Sequence, residues 1–282
     1  MGSAASRPSA DRNPSGIFLK AQGSTILLDC GQGTQRQLLK YGCDFFVDVI
    51  VISHHHSDHD AGLLPYLQSM NLLHRKKPLI IYTPEPKRVE EYLHKIKIDE
   101  YSIEVRAPLL EVPYLHSEYD LTFYRAKHGA IKAISCKLVS NTVTRRNREK
   151  LLLLPIPIRK QLCEKGTSTH ENRVLYLEDY LLPPRPRFQV YYSGDTTWIP
   201  EVVDRISDKG LIIHECTYVH HEDLCQARKR NHTHVSDINI PVHDHLLTHI
   251  SQKVTADILD KKYSRVRGKW ARDGMTFENK CW

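Results

Sequence analysis

The sequence predicts a protein of the α/β class, folded as one domain over residues 1–282. Three observations lead to this prediction. Short apolar runs of strand length alternate with amphipathic stretches of helical period along most of the chain. A length of 282 residues is enough to bury one sizeable core. No internal repeat, low-complexity tract or break in composition divides the chain.

Hydrophobic periodicity assigns the elements in order. The buried-strand patterns cover Thr25 to Cys30, Val47 to Ser53, Leu79 to Tyr82, Gln189 to Ser193 and Leu211 to His214. The amphipathic helix patterns cover Gln35 to Tyr41, Ala61 to Leu73, Lys87 to Lys97 and Ser251 to Lys262. Residues 141–187 mix basic residues with prolines and keep no clean core periodicity, so we expect an arm or long excursion there.

Composition argues against several classes of protein. Hydrophobic residues make up 40% and charged residues 26% of the chain, which excludes a disordered or fibrous protein. No apolar run is long enough to cross a bilayer, and the N-terminus lacks the apolar stretch of a secretory signal. We therefore expect a cytoplasmic protein without membrane contact. The seven cysteines include no CxxC pair, so we expect reduced thiols.

Charge and histidine content point to possible partners of the protein. The net charge of +7 suits a polyanionic partner, although a soluble basic protein with solvated lysines would carry the same charge. The seventeen histidines are more informative, because many lie beside Asp or Glu. That combination is typical of metal ligands.

The motif SHHHSDHDAG follows an apolar strand and leads into a helical pattern. In an extended loop His54 and His56 point the same way, so both imidazoles can bind one metal ion. Asp58 and His59 follow at the turn into the helix and can reach a second ion. His55 should face away from that site. A polar loop with a chance cluster of histidines is the alternative.

This HxHxDH motif resembles the signature of the metallo-β-lactamase superfamily. The resemblance implies a four-layer αβ/βα sandwich with an inserted arm, and three further ligands at strand ends: His128, Asp195 and His249. One zinc ion would then be held by His54, His56 and His128, and the other by Asp58, His59 and His249, with Asp195 bridging. Mn²⁺ or Fe²⁺ would also suit these ligands. Paired ions make hydroxide available as a nucleophile near neutral pH, so the resemblance implies a hydrolase.

Several segments resemble the ribonuclease Z family, which cuts the 3′ trailer from precursor tRNA. They occur in the family's order: PSADRN, ILLDCGQGTQRQLL, YYSGDT, LIIHECT, RNHTHVSD and ARDGMTFE. The resemblance implies metal-hydroxide attack on a phosphodiester of precursor tRNA, a shortened or absent opening strand, and a homodimer. Asp58 would orient the hydroxide and His232 would protonate the leaving oxygen, with His234 as a rival and a basic surface turn as the alternative.

The same resemblance implies RNA-binding residues. Arg12 lies in the loop that matches the family's PxKxRN segment. Residues 141–187 occupy the place of the family's tRNA-binding arm, with cationic candidates Arg145, Arg146, Arg148, Lys150, Arg159 and Lys160. An ordinary basic loop is the alternative. Two other functions also remain open: a different hydrolase of this fold, acting as a small-molecule phosphodiesterase or lactonase, and a non-catalytic RNA-binding module.

Overall fold

The computed structural model describes residues 1–141, 145–183, 187–202, 204–206, 210–239, 244–255, 258–259 and 268–278. In these ranges the strands are β1 (Ile17–Ala21), β2 (Ser24–Leu28), β3 (Val49–Val51), β4 (Leu79–Tyr82), β5 (Ile103–Arg106), β6 (Pro113–Leu115), β7 (Tyr119–Arg125), β8 (Ile134–Ser140), β9 (Arg145–Arg146), β10 (Thr167–His170), β11 (Arg173–Tyr176), β12 (Leu181–Leu182), β13 (Gln189–Tyr192), β14 (Leu211–Glu215), β15 (Asp244–Thr248) and β16 (Lys269–Trp270). The helices are α1 (Thr34–Lys40), α2 (Ser57–Asp60), α3 (Leu63–Leu72), α4 (Pro86–Leu93), α5 (Arg148–Leu152), α6 (Ile156–Lys165) and α7 (Leu224–Arg230). Every helix in the described ranges is too short or too polar to span a bilayer.

The chain divides into two compact units, of which the first comprises Met1–Ser140 and Phe188–Glu278. Two sheets form this unit. Within the described residues one sheet has five strands in the order β1-β2-β3-β4-β5, and the other has seven in the order β16-β15-β14-β13-β8-β7-β6. Strands β2 to β5 run parallel, as do β13 to β16, while β1, β6, β7 and β8 pair antiparallel with their neighbours.

The first sheet is buried on both faces. Along β2, Ile26 and Leu28 point into a core shared with the second sheet, whereas Leu27 points to the opposite side, where α1 and α3 pack. Burial on both faces explains why the strand sequence is almost continuously apolar. The predicted α/β class is confirmed.

The segments that contain the predicted metal ligands follow the carboxyl ends of strands. Strand β3 leads into the HxHxDH loop, β13 into the SGDT turn, and β15 into His249. Parallel strands of one sheet place their carboxyl ends at the same edge. Within the seven-stranded sheet the topology therefore gathers Asp195 and His249, which are far apart in sequence, whereas the HxHxDH loop follows a strand of the other sheet.

Two of the predicted helices differ from those in the structure. The helix expected over Lys87 to Lys97 ends at Leu93, because the next turn tightens into bonds from Lys95 N to Tyr92 O and from Ile96 N to Leu93 O. Of the helix expected over Ser251 to Lys262, residues 251–255 form a turn instead and Ile258 and Leu259 are helical, while residues 256–257 and 260–262 lie outside the described part of the chain.

The second unit comprises Asn141–Arg187. Its described part contains α5, α6 and two short antiparallel pairs, β10 with β11 and β9 with β12. Helix α6 begins after Pro155 and ends at Gly166, which adopts a left-handed conformation with φ of 77°. Pro at a helix start and Gly at its end are ordinary boundary signals.

Candidate metal centre and active site

The HxHxDH loop is fixed by close contact with the loop that follows β2. The residues before α2 are extended, and α2 then carries Asp58 and His59 inward. A Cβ on Gly62 would lie 2.1 Å from the carbonyl oxygen of Gly31, so the two backbones approach more closely than a side chain allows. Glycine at both positions lets the strand-to-helix turn sit against the loop behind it.

The seven predicted ligands converge in the structure. Donor atoms within 4.8 Å of one another form three overlapping groups: His54, His56, His128 and Asp195; Asp58, His59 and His249; and Asp195, His232 and His249. Asp195 lies between the first two groups. Its Oδ2 is 3.7 Å from His54 Nε2 and 3.3 Å from His249 Nε2, and its Oδ1 is 3.4 Å from His59 Nε2.

The SGDT turn directs Asp195 into this cluster. Gly194 has a φ of 58°, and a Cβ there would lie 2.7 Å from the Cβ of Ser53. Asp195 is buried, and its Oδ1 has no hydrogen-bond partner among the described residues. A buried carboxylate oxygen without a donor is costly unless a cation satisfies it. The donor set therefore fits a divalent metal.

Hydrogen bonds set the imidazole tautomers so that Nε2 faces the cluster. His59 Nδ1 donates to Asp29 at 2.6 Å, and His128 Nδ1 donates to the carbonyl of Asn231 at 3.2 Å. The hydroxyl of Ser53 donates to Asp29, so it accepts from His54 Nδ1 at 3.1 Å. Each ring keeps its Nε2 lone pair free, as metal ligation requires. Burial lowers the pKa of His54 and of His56, which keeps both rings neutral.

Asp29 is a functional residue that the sequence analysis did not single out. It follows β2 and is completely buried. Besides His59 and the Ser53 hydroxyl, it accepts from Ser53 N at 2.6 Å and from the Tyr192 hydroxyl at 2.5 Å. Asp29 lies in ILLDCGQGTQRQLL, one of the segments that resemble the ribonuclease Z family, but that resemblance gave this carboxylate no role.

Glu215, the last residue of β14, was also overlooked. Its Oε1 accepts from Thr196 N, Thr233 N and His232 Nδ1, the last at 2.8 Å, and its Oε2 accepts from the amide and hydroxyl of Thr217. Because the Thr217 hydroxyl donates to Glu215, it accepts from His249 Nδ1 at 2.8 Å. One buried carboxylate therefore orients both His232 and, through Thr217, His249.

His232, and not His234, lies in the cluster. His232 Nδ1 is 3.9 Å from Asp195 Oδ2. Burial lowers the pKa of His232, but the charge of Glu215 and the hydrogen bond to it outweigh burial and raise this pKa to about 9. His234 is buried elsewhere, with contacts from its ring to Ser236 Oγ and to the carbonyl of His220.

His55 faces away from the ligand atoms, as its position in the loop predicted. It is buried, with Nδ1 2.8 Å from Asp60 Oδ2 and Nε2 2.7 Å from Thr83 Oγ1. Tyr92 also donates to Asp60 from α4, at 3.2 Å. These hydrogen bonds connect the HxHxDH loop to Asp60 in α2 and to Thr83, the residue that follows β4.

The predicted RNA-binding residues lie in two settings. Arg12 is buried in the first unit, where Nη1 donates to the carbonyl of Val254 at 3.0 Å, a contact that braces the N-terminal segment. Its contact with RNA stays a prediction. The described side chains of the candidates in the second unit are exposed or half-buried: Arg146, Arg148, Lys150, Arg159 and Lys160. Arg145 lies in β9, but its side chain lies outside the described part of the structure.

A cavity of about 350 Å³ opens onto the cluster. Asp195, His56, His128 and His232 line its base. Its other walls come from Ser6, Gly129, Ala130, Ile131, Lys229, Arg230 and Asn231. The volume is in the range of pockets that hold a small ligand or part of a larger one.

Comparisons with known proteins give consistent similarities. Residues 1–142 match the family model described as Anti-Pycsar protein Apyc1. Ribonuclease Z of Methanosarcina mazei is 30% identical over 92% of this chain and 88% of its own. Among solved structures, the short form of human tRNase Z has a TM-score of 0.68 at 21% identity, covering 98% of this chain and 96% of its own.

The fold similarity extends to another solved structure. The metallo-β-lactamase fold protein YhfI of Bacillus subtilis has a TM-score of 0.67 at 17% identity, covering 99% of this chain and 96% of its own. At these identities the two structures identify the fold alone. The expected metallo-β-lactamase fold is confirmed.

Proposed function

The chain belongs to the ribonuclease Z family, and its first half to the Anti-Pycsar protein Apyc1 family, and from that premise we infer that it is the endoribonuclease that removes the 3′ trailer of precursor tRNA. As a member of that family it is a hydrolase, and its fold is the metallo-β-lactamase fold. One observation carries this conclusion: a 30% identical ribonuclease Z aligns over 92% of a chain whose His and Asp donors converge at one edge of the sheets.

We propose that the site holds two zinc ions. The first would be bound by His54, His56 and His128, and the second by Asp58, His59 and His249. The location of Asp195 between these groups supports a bridging role. Two such ions, when bound, supply a water nucleophile at neutral pH and stabilise negative charge on phosphoryl oxygens. Mn²⁺ or Fe²⁺ would fit the same nitrogen and oxygen donors.

His232 is the proposed general acid. Its Nδ1 donates to Glu215, which leaves Nε2 to deliver a proton to the leaving 3′ oxygen. Glu215 keeps the ring protonated at neutral pH by raising its pKa, so the donor is in its active form when the reaction begins. The products are a tRNA ending in a 3′ hydroxyl and a trailer with a 5′ phosphate.

Asp58 has two proposed roles, as a metal ligand and as the group that orients the attacking water. Burial raises the pKa of Asp58, but the neighbouring His249 and His59 outweigh burial and lower it, so Asp58 is a carboxylate at neutral pH. A charged acceptor at this position can accept a hydrogen bond from the nucleophile and fix its direction of approach.

We further propose that the second unit contacts the tRNA, and that the protein acts as a homodimer in the cytoplasm. Support for tRNA contact comes from the cationic side chains of α5 and α6, which suit phosphate contacts without sequence preference. Light scattering during gel filtration tests the dimer: twice the chain mass supports it, and the mass of one chain contradicts it.

The main experiment incubates the metal-loaded protein with a precursor tRNA that carries a 3′ trailer and maps the cut to the nucleotide. Bis(p-nitrophenyl) phosphate is the parallel substrate. We expect one cut at the trailer junction. Activity on bis(p-nitrophenyl) phosphate alone would instead identify a small-molecule phosphodiesterase of the same fold.

Two matched variants test the assignment of roles. His232→Ala should lose most cleavage of precursor tRNA, whereas His221→Ala, which alters an exposed histidine in the preceding segment, should retain it. Asp195→Ala should lose turnover on both substrates. Full activity in Asp195→Ala would exclude the proposed centre, and binding of tRNA without turnover in the parent would indicate an RNA-binding module.

A further inference from the structure

The end of α7 forms a rigid cap that carries His232. Asn231 is left-handed, with φ of 56°. The amide of His232 donates to Ala227 O at 3.0 Å, and the amide of Asn231 donates to Arg228 O at 3.2 Å. This pair of bonds is the Schellman arrangement, in which a left-handed residue ends a helix and satisfies its last carbonyls. The residues of the last helical turn are therefore held in a fixed relation to His232.

The same cap reaches across to the metal ligands. The carbonyl of Asn231 accepts from His128 Nδ1 at 3.2 Å. The Asn231 side chain covers Gly129 so closely that a Cβ there would lie 2.8 Å from Asn231 Nδ2. Movement of the cap would consequently displace both a proposed ligand and the proposed proton donor.

The last turn of α7 also contributes two cations to the wall of the cavity. Lys229 and Arg230 line it together with His232. The hydrogen-bonding neighbours of Gln226 require its amide oxygen to face Arg230, where it accepts from Nε at 2.6 Å. Gln226, one helical turn before Arg230, therefore orients the guanidinium. Arg228, in the same turn, is exposed and is not among the described residues that line the cavity.

We propose that Lys229 and Arg230 form a phosphate-binding pair that holds a nucleic-acid phosphate next to the one being cut. The inference rests on the proposed function and deepens it, because it names the feature that selects a polynucleotide over a small phosphodiester. Arg supplies a planar fork for phosphate oxygens and Lys a point charge. A substrate with a single phosphate has no second phosphate that Lys229 and Arg230 could bind while the first is at the metal centre.

The test compares Lys229→Gln/Arg230→Gln with Arg228→Gln, which removes a charge from the same turn outside the cavity. For precursor tRNA, we expect kcat/KM of the double variant to fall about tenfold or more, and the salt slope of log(kcat/KM) to shrink by about 0.7, the value for one phosphate contact to a single strand. Hydrolysis of bis(p-nitrophenyl) phosphate should stay within about twofold of the parent, because its single phosphate reaches only the metal centre. Arg228→Gln should resemble the parent on both substrates.

A binding measurement separates failure of this proposal from failure of the proposed function. Fluorescence anisotropy needs no turnover when the oligoribonucleotide spans the trailer junction and carries a methylene group in place of the leaving 3′ oxygen. The dissociation constant should rise about tenfold in the double variant and less than about threefold in Arg228→Gln. Equal affinity in the double variant and Arg228→Gln would overturn the pair, as would equal losses on precursor tRNA and bis(p-nitrophenyl) phosphate. If the parent protein does not cut precursor tRNA but the double variant still binds the oligoribonucleotide more weakly than the parent, the phosphate-binding pair stands and the tRNA assignment fails.

Discussion

Replacing Glu215 with Gln tests how the site holds its proton donor. The carboxylate is buried and accepts five hydrogen bonds, three at Oε1 and two at Oε2. The Gln side chain has nearly the same shape but one oxygen fewer. Its NH₂ group, which can only donate, must replace either Oε1 or Oε2, and both of these oxygens face hydrogen-bond donors. If it replaces Oε2, the amide of Thr217 loses its acceptor, at a cost of about 1 to 3 kcal/mol.

The effect on catalysis follows from the pKa of His232. Burial alone lowers this pKa, and the charge of Glu215 raises it to about 9. A general acid works in its protonated form, so activity is lost as pH rises through that pKa. Glu215→Gln removes the charge and should move the basic limb of the pH profile to lower pH. At neutral pH we expect kcat/KM to fall by about 10² to 10⁴, the usual contribution of a positioned acid.

The assay measures kcat/KM for trailer-bearing precursor tRNA between pH 5 and 10, with bound metal and melting temperature recorded for each variant. Glu222→Gln removes an exposed carboxylate and serves as the control. A basic limb that stays at the parental pH, or moves to higher pH, would refute the assignment of His232 as the acid held by Glu215.

Three other predictions follow from the contacts around the cluster. Asp29→Asn should weaken zinc binding by about 10- to 100-fold, because an amide cannot accept every bond that orients His59; chelator competition measures this, and an unchanged affinity would contradict it. His55→Ala should lower the free energy of unfolding by about 2 to 4 kcal/mol in urea, since Asp60 and Thr83 lose a buried partner, and a change below about 0.5 kcal/mol would show that the network is dispensable. Treatment with a strong chelator should abolish cleavage and added Zn²⁺ should restore it, whereas full activity in the metal-free protein would exclude the metal mechanism.

Much of the fold and the candidate site could be predicted from the sequence. Four of the seven proposed ligands occupy six consecutive positions, so one short motif indicates both the chemistry and the strand-to-helix turn that presents it. His128, Asp195 and His249 each follow a strand-like pattern, and the order of the family's segments was needed to distinguish them from ordinary caps and surface groups. Strands β7, β13 and β15 run in the same direction within the seven-stranded sheet, with β8 antiparallel between β7 and β13, so their carboxyl ends lie at one edge and these three residues meet.

The residues behind the ligands could not be predicted in the same way. Asp29 and Glu215 act through hydrogen bonds to imidazoles from other parts of the chain, so their role depends on tertiary packing. The family-like segments that contain them, ILLDCGQGTQRQLL and LIIHECT, did not assign that role. The described part of residues 141–187 contains α5, α6 and short strand pairs, although the apolar residues of this segment keep no helical face. Pro155 and Gly166 mark the ends of α6, and such boundary signals were the usable evidence there.

Anomalous X-ray scattering from crystals of the zinc-loaded protein tests the central claim most directly. We predict two peaks per chain at the zinc edge, one beside His54, His56 and His128 and the other beside Asp58, His59 and His249, with both reached by Asp195. A single peak, peaks away from these side chains, or none in protein that cleaves precursor tRNA would contradict the account.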